Sequence, residues 1–257
     1  MTGEKLNTAN RPIDYHAKVF AYLSTNVEFR KRKIEKLDEV ELADEEFDLI
    51  VSNCVLNLSS DKEALLRHPF RVLKEGGKFD FSDVYADRRI PPHFEEDLIR
   101  YGEFFSNVLF WSDTILLACK VGFEASRVFE TSSIELKSGK LGERVGEIEF
   151  YSITFRIFEL AGLELTRQDC GQRIISKGSV EDNSHHLIFD DSNIVAESEQ
   201  VAVCENTYRM LKVSRYVEDF DFISGSEMTL GDFVANDAAT PIASAARSRS
   251  KKRGCCQ

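Results

Sequence analysis

Residues 47–87, FDLIVSNCVLNLSSDKEALLRHPFRVLKEGGKFDFSDVYAD, decide the fold. Leu49, Ile50 and Val51 are consecutive β-rich apolar residues, the pattern of a parallel strand covered on both faces by helices. Ser59-Ser60-Asp61 then offers a helix cap, with Glu63 three residues after Ser60 and Gly76-Gly77 as the C-terminal stop. KFDFSDVYAD, residues 78–87, alternates through Phe79, Phe81 and Val84 and predicts a second strand. Strand, helix and strand at this spacing form a βαβ crossover, so the class is α/β with an open parallel sheet. Such sheets bind ligands beyond the carboxyl ends of their strands. That puts Ser52, Asn53 and Cys54 beside any cofactor and Ser82 and Asp83 beside any substrate, with strand capping as the competing role.

Upstream, PIDYHAKVFAYL (12–23) spaces Ile13, Ala17 and Phe20 for a helix, and Val27 and Phe29 alternate with Glu28 and Arg30 as a short strand. Downstream, FEEDLIRYGEFF (94–105) and SDTILLACKVGF (112–123) predict helices, the second ended by Gly122, with Cys119 turned to the core and inert. EFYSITFRIFEL (149–160) and a strand at QRIISKGSV (172–180) follow, and 186–223 looks like a small α+β annex. From about Gly225 the Ser, Ala, Gly, Asp and basic composition cannot bury enough apolar surface to order itself.

The chain has 257 residues, 42% of them hydrophobic, and a formal charge of −11. Five basic residues lie after position 246, so the body before them carries 28 basic against 44 acidic residues. Nucleic acid phosphates repel a body of that charge, which excludes general nucleic-acid binding. The basic run Arg30 to Lys33 is diluted by Glu28 and Glu35 and reads as a solvated edge. No apolar run approaches a membrane span, and no apolar leader follows Met1. Six cysteines without a CxxC spacing in the body fit free thiols in a reducing cytoplasm. GxSxG, HExxH and P-loop motifs are absent from the sequence, and adjacent His185-His186 and Asp190-Asp191 do not converge on one ion.

The stretch from Phe47 to Arg89 resembles the SAM-dependent arsenite methyltransferases nearly residue for residue. YGEFFSNVLFW (101–111), GEIEFYSITFRIF (146–158), LELTRQDCGQ (163–172), IFDD (188–191) and CENTYRMLKVSRYVEDF (204–220) are similar to successive family segments, so the resemblance spans about 1–225. It implies a class I, Rossmann-like sheet, then an arsenic-binding middle segment and a small α+β C-terminal domain. It implies S-adenosylmethionine as cofactor, met by Asn53, Cys54 and Val55 after the strand and by Ile34 and Glu35 at the adenine.

The family's glycine-rich loop and its ribose-binding acid are missing here, and MTGEKLNTANRPIDYH (1–16) resembles the segment that directly follows that acid. The chain is therefore expected to be N-terminally truncated, without the sheet's first two strands, and to bind the cofactor weakly or not at all. The strand at 47–53 then has an open edge. Poor folding alone is expected unless dimerisation, a longer gene product, or pairing of residues 26–37 with that edge compensates.

The resemblance also implies three arsenic-binding thiols. One falls upstream of Met1; Phe104 occupies the second position, and Ile148 and Ile153 are the candidates for the third. Neither Phe nor Ile ligates arsenic, so no arsenic-binding catalytic residue is assigned, and arsenite methylation is expected to be impaired. Cys255 and Cys256 resemble a reduced version of the family's terminal cysteine cluster, for arsenic or soft-metal capture; a lipidated tail and a solvated end are the alternatives. Domains are expected at 1–122 (partial methyltransferase), 123–180 (middle segment), 181–225 (C-terminal) and 226–257 (disordered basic tail). The alternatives are methylation of another small molecule, given a longer N-terminus, and a non-catalytic pseudoenzyme that forms a homodimer or pairs through its open edge.

Overall fold

A computed structural model describes residues 3–39, 41–91, 105, 107–134, 148–164, 166–181, 185–226 and 228–233. The chain divides into two compact units, Met1–Leu42 and Ala43–Gln257. The first holds α1 (Gly3–Asn10), α2 (Ile13–Val19) and a 3-10 segment, Ile34–Glu39. The alternating residues 27–30 form no strand. Alternation is a local signal, whereas a strand exists only when a neighbour takes its N–H and C=O groups. Among the described residues, no strand lies within 26–37.

The second unit is built on β1 (Phe47–Asn53), α3 (Lys62–Val72), β2 (Leu73–Ala86), β3 (Leu109–Phe110), α4 (Trp111–Val121), β4 (Ser126–Ile134) and β5 (Phe150–Phe158). The sheet runs β1-β2-β5-β4, with β3 beside the end of β2. β1 and β2 are parallel, joined through α3 as the βαβ reading requires, while β5 is antiparallel to both β2 and β4. The result is a mixed, Rossmann-like α/β sheet. Phe79, Phe81, Asp83 and Tyr85 alternate onto one face of β2, and Phe155 of β5 meets both Phe81 and Tyr85 at ring separations of 5.6 and 5.2 Å.

Two helix boundaries differ from the sequence reading. Asp61, not Ser60, caps α3: its Oδ1 accepts the Ala64 N–H at 2.9 Å, and Ser59 Oγ accepts the Asp61 N–H. α3 ends at Val72, ahead of the glycines, which lie inside β2. Gly76 holds φ +76, and a Cβ there would sit 2.5 Å from the Val213 carbonyl, so the pair serves strand packing rather than helix termination. Gly122 does end α4, at φ +121.

Beyond β5 come the short β6 (Gln168–Asp169) and then β7 (Arg173–Ser176), which is flanked by β10 (Gln200–Ala202) and β11 (Phe220–Ile223) in a three-stranded antiparallel sheet. β8 (His186–Ile188) and β9 (Ile194–Ala196) form a hairpin, α5 spans Glu205–Val213, and β12 (Gly231–Asp232) pairs β6. Phe158, Ile174, Phe189, Val203, Met210 and Phe220 share the core of this α+β part. No described helix is long and apolar enough to cross a membrane.

Candidate functional site

Parallel pairing ends at Asn53 opposite Ser82, which places the turn after β1 at the carboxyl end of the sheet. There the Cys54 N–H donates to the Ser82 carbonyl at 2.8 Å, and the backbone of Cys54 turns left-handed at φ +55. Asn53 is exposed, and Cys54 and Val55 are half-buried, so all three candidate cofactor contacts border solvent. Behind them the chain enters a short 3-10 turn, Leu56–Leu58.

That turn is fastened to β2 by one carboxylate. Asp83 Oδ2 accepts the Asn57 N–H at 3.0 Å, while Oδ1 accepts Asn57 Nδ2 and its own neighbour's Val84 N–H, both at 2.8 Å. Asn57 Nδ2 also reaches the Val84 carbonyl at 2.7 Å. Asp83 is 2% exposed and Asn57 1% exposed, so Asp83 turns into the protein as a cap, not outward as a substrate contact. Asn57 carried no functional expectation, yet a buried Asn within the apolar run Val55–Leu58 is a polar group that needs a partner.

Burial sets the protonation of this cluster. It pushes the Asp83 carboxyl up against the opposing pull of hydrogen bonds from Asn57, Val84 and Leu56 and of the Lys62 charge. It pushes the Cys54 thiol up too, with the Asp83 charge adding to it, and the thiol donates to Asn53 Oδ1 at 3.2 Å. Tyr85 is pushed well up by burial and then by Asp83 and Cys54, and its hydroxyl has no hydrogen-bond partner. Lys62 is lowered by burial, with the Asp83 charge working against that, and its Nζ donates to the Ser59 carbonyl. A thiol kept protonated is a poor nucleophile. Of these ionisable groups, Asp83 is the one engaged in holding the turn.

An open turn with bare backbone, an apolar Val55 and an amide at Asn53 fits one edge of a flat heteroaromatic ring. Ile34 and Glu35, assigned to that ring by resemblance, lie on the 3-10 segment of the first unit. That unit also holds an apolar cavity of 460 Å³ lined by residues including Ile13, His16, Phe20 and Val27.

On the opposite face of β2 the side chains nearest its carboxyl end, Val84 and Ala86, are apolar. Val84, Ala86, Val108 and Phe150 form a buried cluster, against which Phe105, Ile134 and Ile148 pack. Phe105 meets Phe150 edge to face at 5.2 Å. Ile153 is fully buried in β5, in register with Asp83 on one side and Thr131 on the other. Phe104, Cys255 and Cys256 lie outside the described residues. Among the described residues no group of three His, Cys, Asp or Glu side chains is gathered to hold a metal. Cys119, expected in the core, is exposed on α4: the helix turns Thr114 and Ala118 inward, and position 119 falls beyond that stripe. His185 is exposed beside Glu197, while Asp190 is buried and accepts from the Asn193 backbone and side chain, both at 2.7 Å.

Comparison with known proteins bears on both ends of the chain. Residues 4–134 match a methyltransferase domain family, and residues 169–257 match the arsenite methyltransferase C-terminal domain. An arsenite methyltransferase of Aquipseudomonas alcaligenes is 42% identical over 233 residues, which are 91% of this chain and 67% of that protein. The arsenite methyltransferase of Mus musculus is 36% identical over 86% of this chain and 58% of its own length. The chain thus spans under two thirds of its mammalian relative. The crystal structure of an arsenic (III) S-adenosylmethionine methyltransferase from Chlamydomonas reinhardtii superposes with a TM-score of 0.85 at 36% identity, covering 91% of this chain and 78% of that one.

Proposed function

From the premise that this chain belongs to the arsenite methyltransferase family, we propose that it binds S-adenosylmethionine at the turn after β1 and is impaired in methyl transfer to trivalent arsenic. The cofactor, when bound, supplies a methyl group on a sulfonium, already activated for attack. Asn53, Cys54 and Val55 hold it in the second unit; Ile34 and Glu35, assigned to the adenine by resemblance, belong to the first. What carries the cofactor assignment is the open, left-handed turn at Cys54, beyond the carboxyl ends of two parallel strands.

The impairment follows from the acceptor side. Trivalent arsenic is soft and needs thiolates, and at the family's thiol positions this chain carries Phe104 and, for the third, Ile148 or Ile153. Ile153 fills the core of β5, and Ile148 packs against the apolar cluster at the end of β2. Both residues behave as packing groups.

Incubation of the purified chain with S-adenosylmethionine, arsenite and a thiol reductant should give a measurable heat of cofactor binding and no methylated arsenic. Methylarsenite formation would overturn the impairment, and absence of any cofactor binding would overturn the assignment of the turn.

The outer edge of β1 supports a second reading, strand addition by another copy of the chain. β1 pairs only with β2 among the described residues, and Val51 on it is 69% exposed. The free thiols at Cys54, Cys119, Cys170 and Cys204 are consistent with a reducing cytoplasm.

A further inference from the structure

We propose that Asp83 is a positioning residue which, through Asn57, holds the 53–58 turn in the shape that receives the cofactor; the proposal rests on the S-adenosylmethionine assignment above. Three observations converge on it. First, the two carboxylate oxygens divide the work: Oδ2 takes the Asn57 N–H and Oδ1 takes Asn57 Nδ2, so main chain and side chain of one residue are held together. Second, the other end of the turn is fixed independently, by the Cys54 N–H on the Ser82 carbonyl. Third, between these anchors Cys54 holds a left-handed backbone, which a non-glycine residue keeps only when its surroundings over-determine it.

The amide of Asn cannot substitute at position 83. Its oxygen can take the place of only one carboxylate oxygen, and its NH2 would then face N–H groups of Asn57 or Val84, donor against donor. D83N therefore keeps the volume and loses the clamp.

The groups facing Asp83 are Lys62 of α3, Cys54 of the turn and Tyr85 along β2, while its register partner on β5 is the uncharged Ile153. Burial raises the carboxyl's affinity for a proton, and protonation removes one acceptor oxygen. Acidification through this titration loosens the turn and weakens cofactor binding. The fold responds in the opposite sense. A carboxyl whose folded pKa is raised makes a stability contribution that is present below its unfolded pKa and lost as pH rises through the folded one. Opposite pH trends in affinity and stability distinguish a positioning carboxylate from a merely structural one.

Calorimetric titration of the full chain with S-adenosylmethionine at neutral pH and at a series of acidic pH values, with amide hydrogen exchange over residues 54–58, tests the proposal in wild type, D83N and N57A. Wild-type affinity should fall on acidification. D83N should bind about tenfold or more weakly at neutral pH, the loss expected from one charge-assisted hydrogen bond, and should lose the acid limb. Exchange at 54–58 should rise in both variants while β1 and β2 stay protected. Cofactor binding by D83N within about twofold of wild type, less than any such bond would contribute, overturns the proposal and leaves the functional assignment standing. If wild type binds no cofactor, the assignment fails, and exchange judges the clamp: equal rates in wild type and variants overturn it. Should D83N not fold, N57A decides by the same readouts, because it removes the Nδ2 bonds and leaves the carboxylate.

Discussion

Arg156 shows what a single side chain does in joining the sheet to the C-terminal part. Its Nε and one NH2 donate to the two oxygens of Asp80, each at 2.9 Å, its other nitrogen donates to the Phe189 carbonyl, and its guanidinium lies 4.3 Å from the Phe129 ring centroid. Lys78 stands 3.3 Å from the same carboxylate and donates to Tyr216 Oη at 3.1 Å. Planar, bidentate and stacked contacts are ones that lysine cannot reproduce. R156M keeps much of the volume but leaves Asp80 with Lys78 alone and Phe189 without its donor. Loss of one partner from a buried pair costs about 3–5 kcal/mol, and the remaining Lys78 holds this case to about 3. Chemical denaturation should record that loss, and hydrogen exchange should rise first in the β8–β9 hairpin. Unchanged stability would show that the pair is solvated. None of this was legible in the sequence, because Asp80 and Arg156 are 76 residues apart and each looks like an ordinary alternating strand position. Asn57 and Asp83 were hidden for the same reason, at a separation of 26 residues.

At the scale of elements, the βαβ unit was legible because its signals are local: consecutive apolar residues for β1, alternation for β2, a capping residue between them. The residues at 27–30 carried the same alternation and formed no strand, since pairing depends on a neighbour that alternation cannot supply. The glycines at 76 and 77 misled for a related reason. They resemble a helix stop, but the junction from α3 to β2 is direct, and they let the start of β2 lie against α5 and beside β5. There the Gly76 N–H donates to the Glu159 carbonyl at 2.7 Å, and the Glu159 N–H returns to Gly77 at 2.9 Å. This end of the sheet gathers acids. The Glu159 carboxyl is pushed up by burial first and then by the charges of Glu75 and Glu45. Its folded pKa is raised, so its ionised form opposes folding at neutral pH and the penalty vanishes as acid protonates it. E159Q should therefore raise thermal stability at neutral pH, by about 0.5 kcal/mol or less given solvent screening, and the gain should disappear in acid. A gain that persists at low pH would point to packing instead of charge.

At the scale of the whole sheet, the order β1-β2-β5-β4 among the described residues leaves one strand of the parallel pair, β1, at the edge. β1 offers alternate N–H and C=O groups along that edge, and Val51 is 69% exposed on the same strand. Proteins protect such edges with charge, proline, bulges or cover, because a flat apolar edge is a template for another strand. β1 is flanked by acids, with Asp48 paired to Lys74 at 3.0 Å, but its centre Leu49-Ile50-Val51 carries no charge. The overall charge of −11 repels copies only at short range, since screening at physiological salt confines it to about 8 Å. Edge pairing is then limited by concentration, and a lysine in the middle of the strand should block it by placing a charge where a second strand would lie. Sedimentation velocity across a concentration series should show wild type passing from monomer to dimer, with V51K remaining monomeric and unfolding at a similar denaturant concentration. A wild type that stays monomeric at every concentration would mean that the edge is covered, and strand addition by a second copy would have to be abandoned.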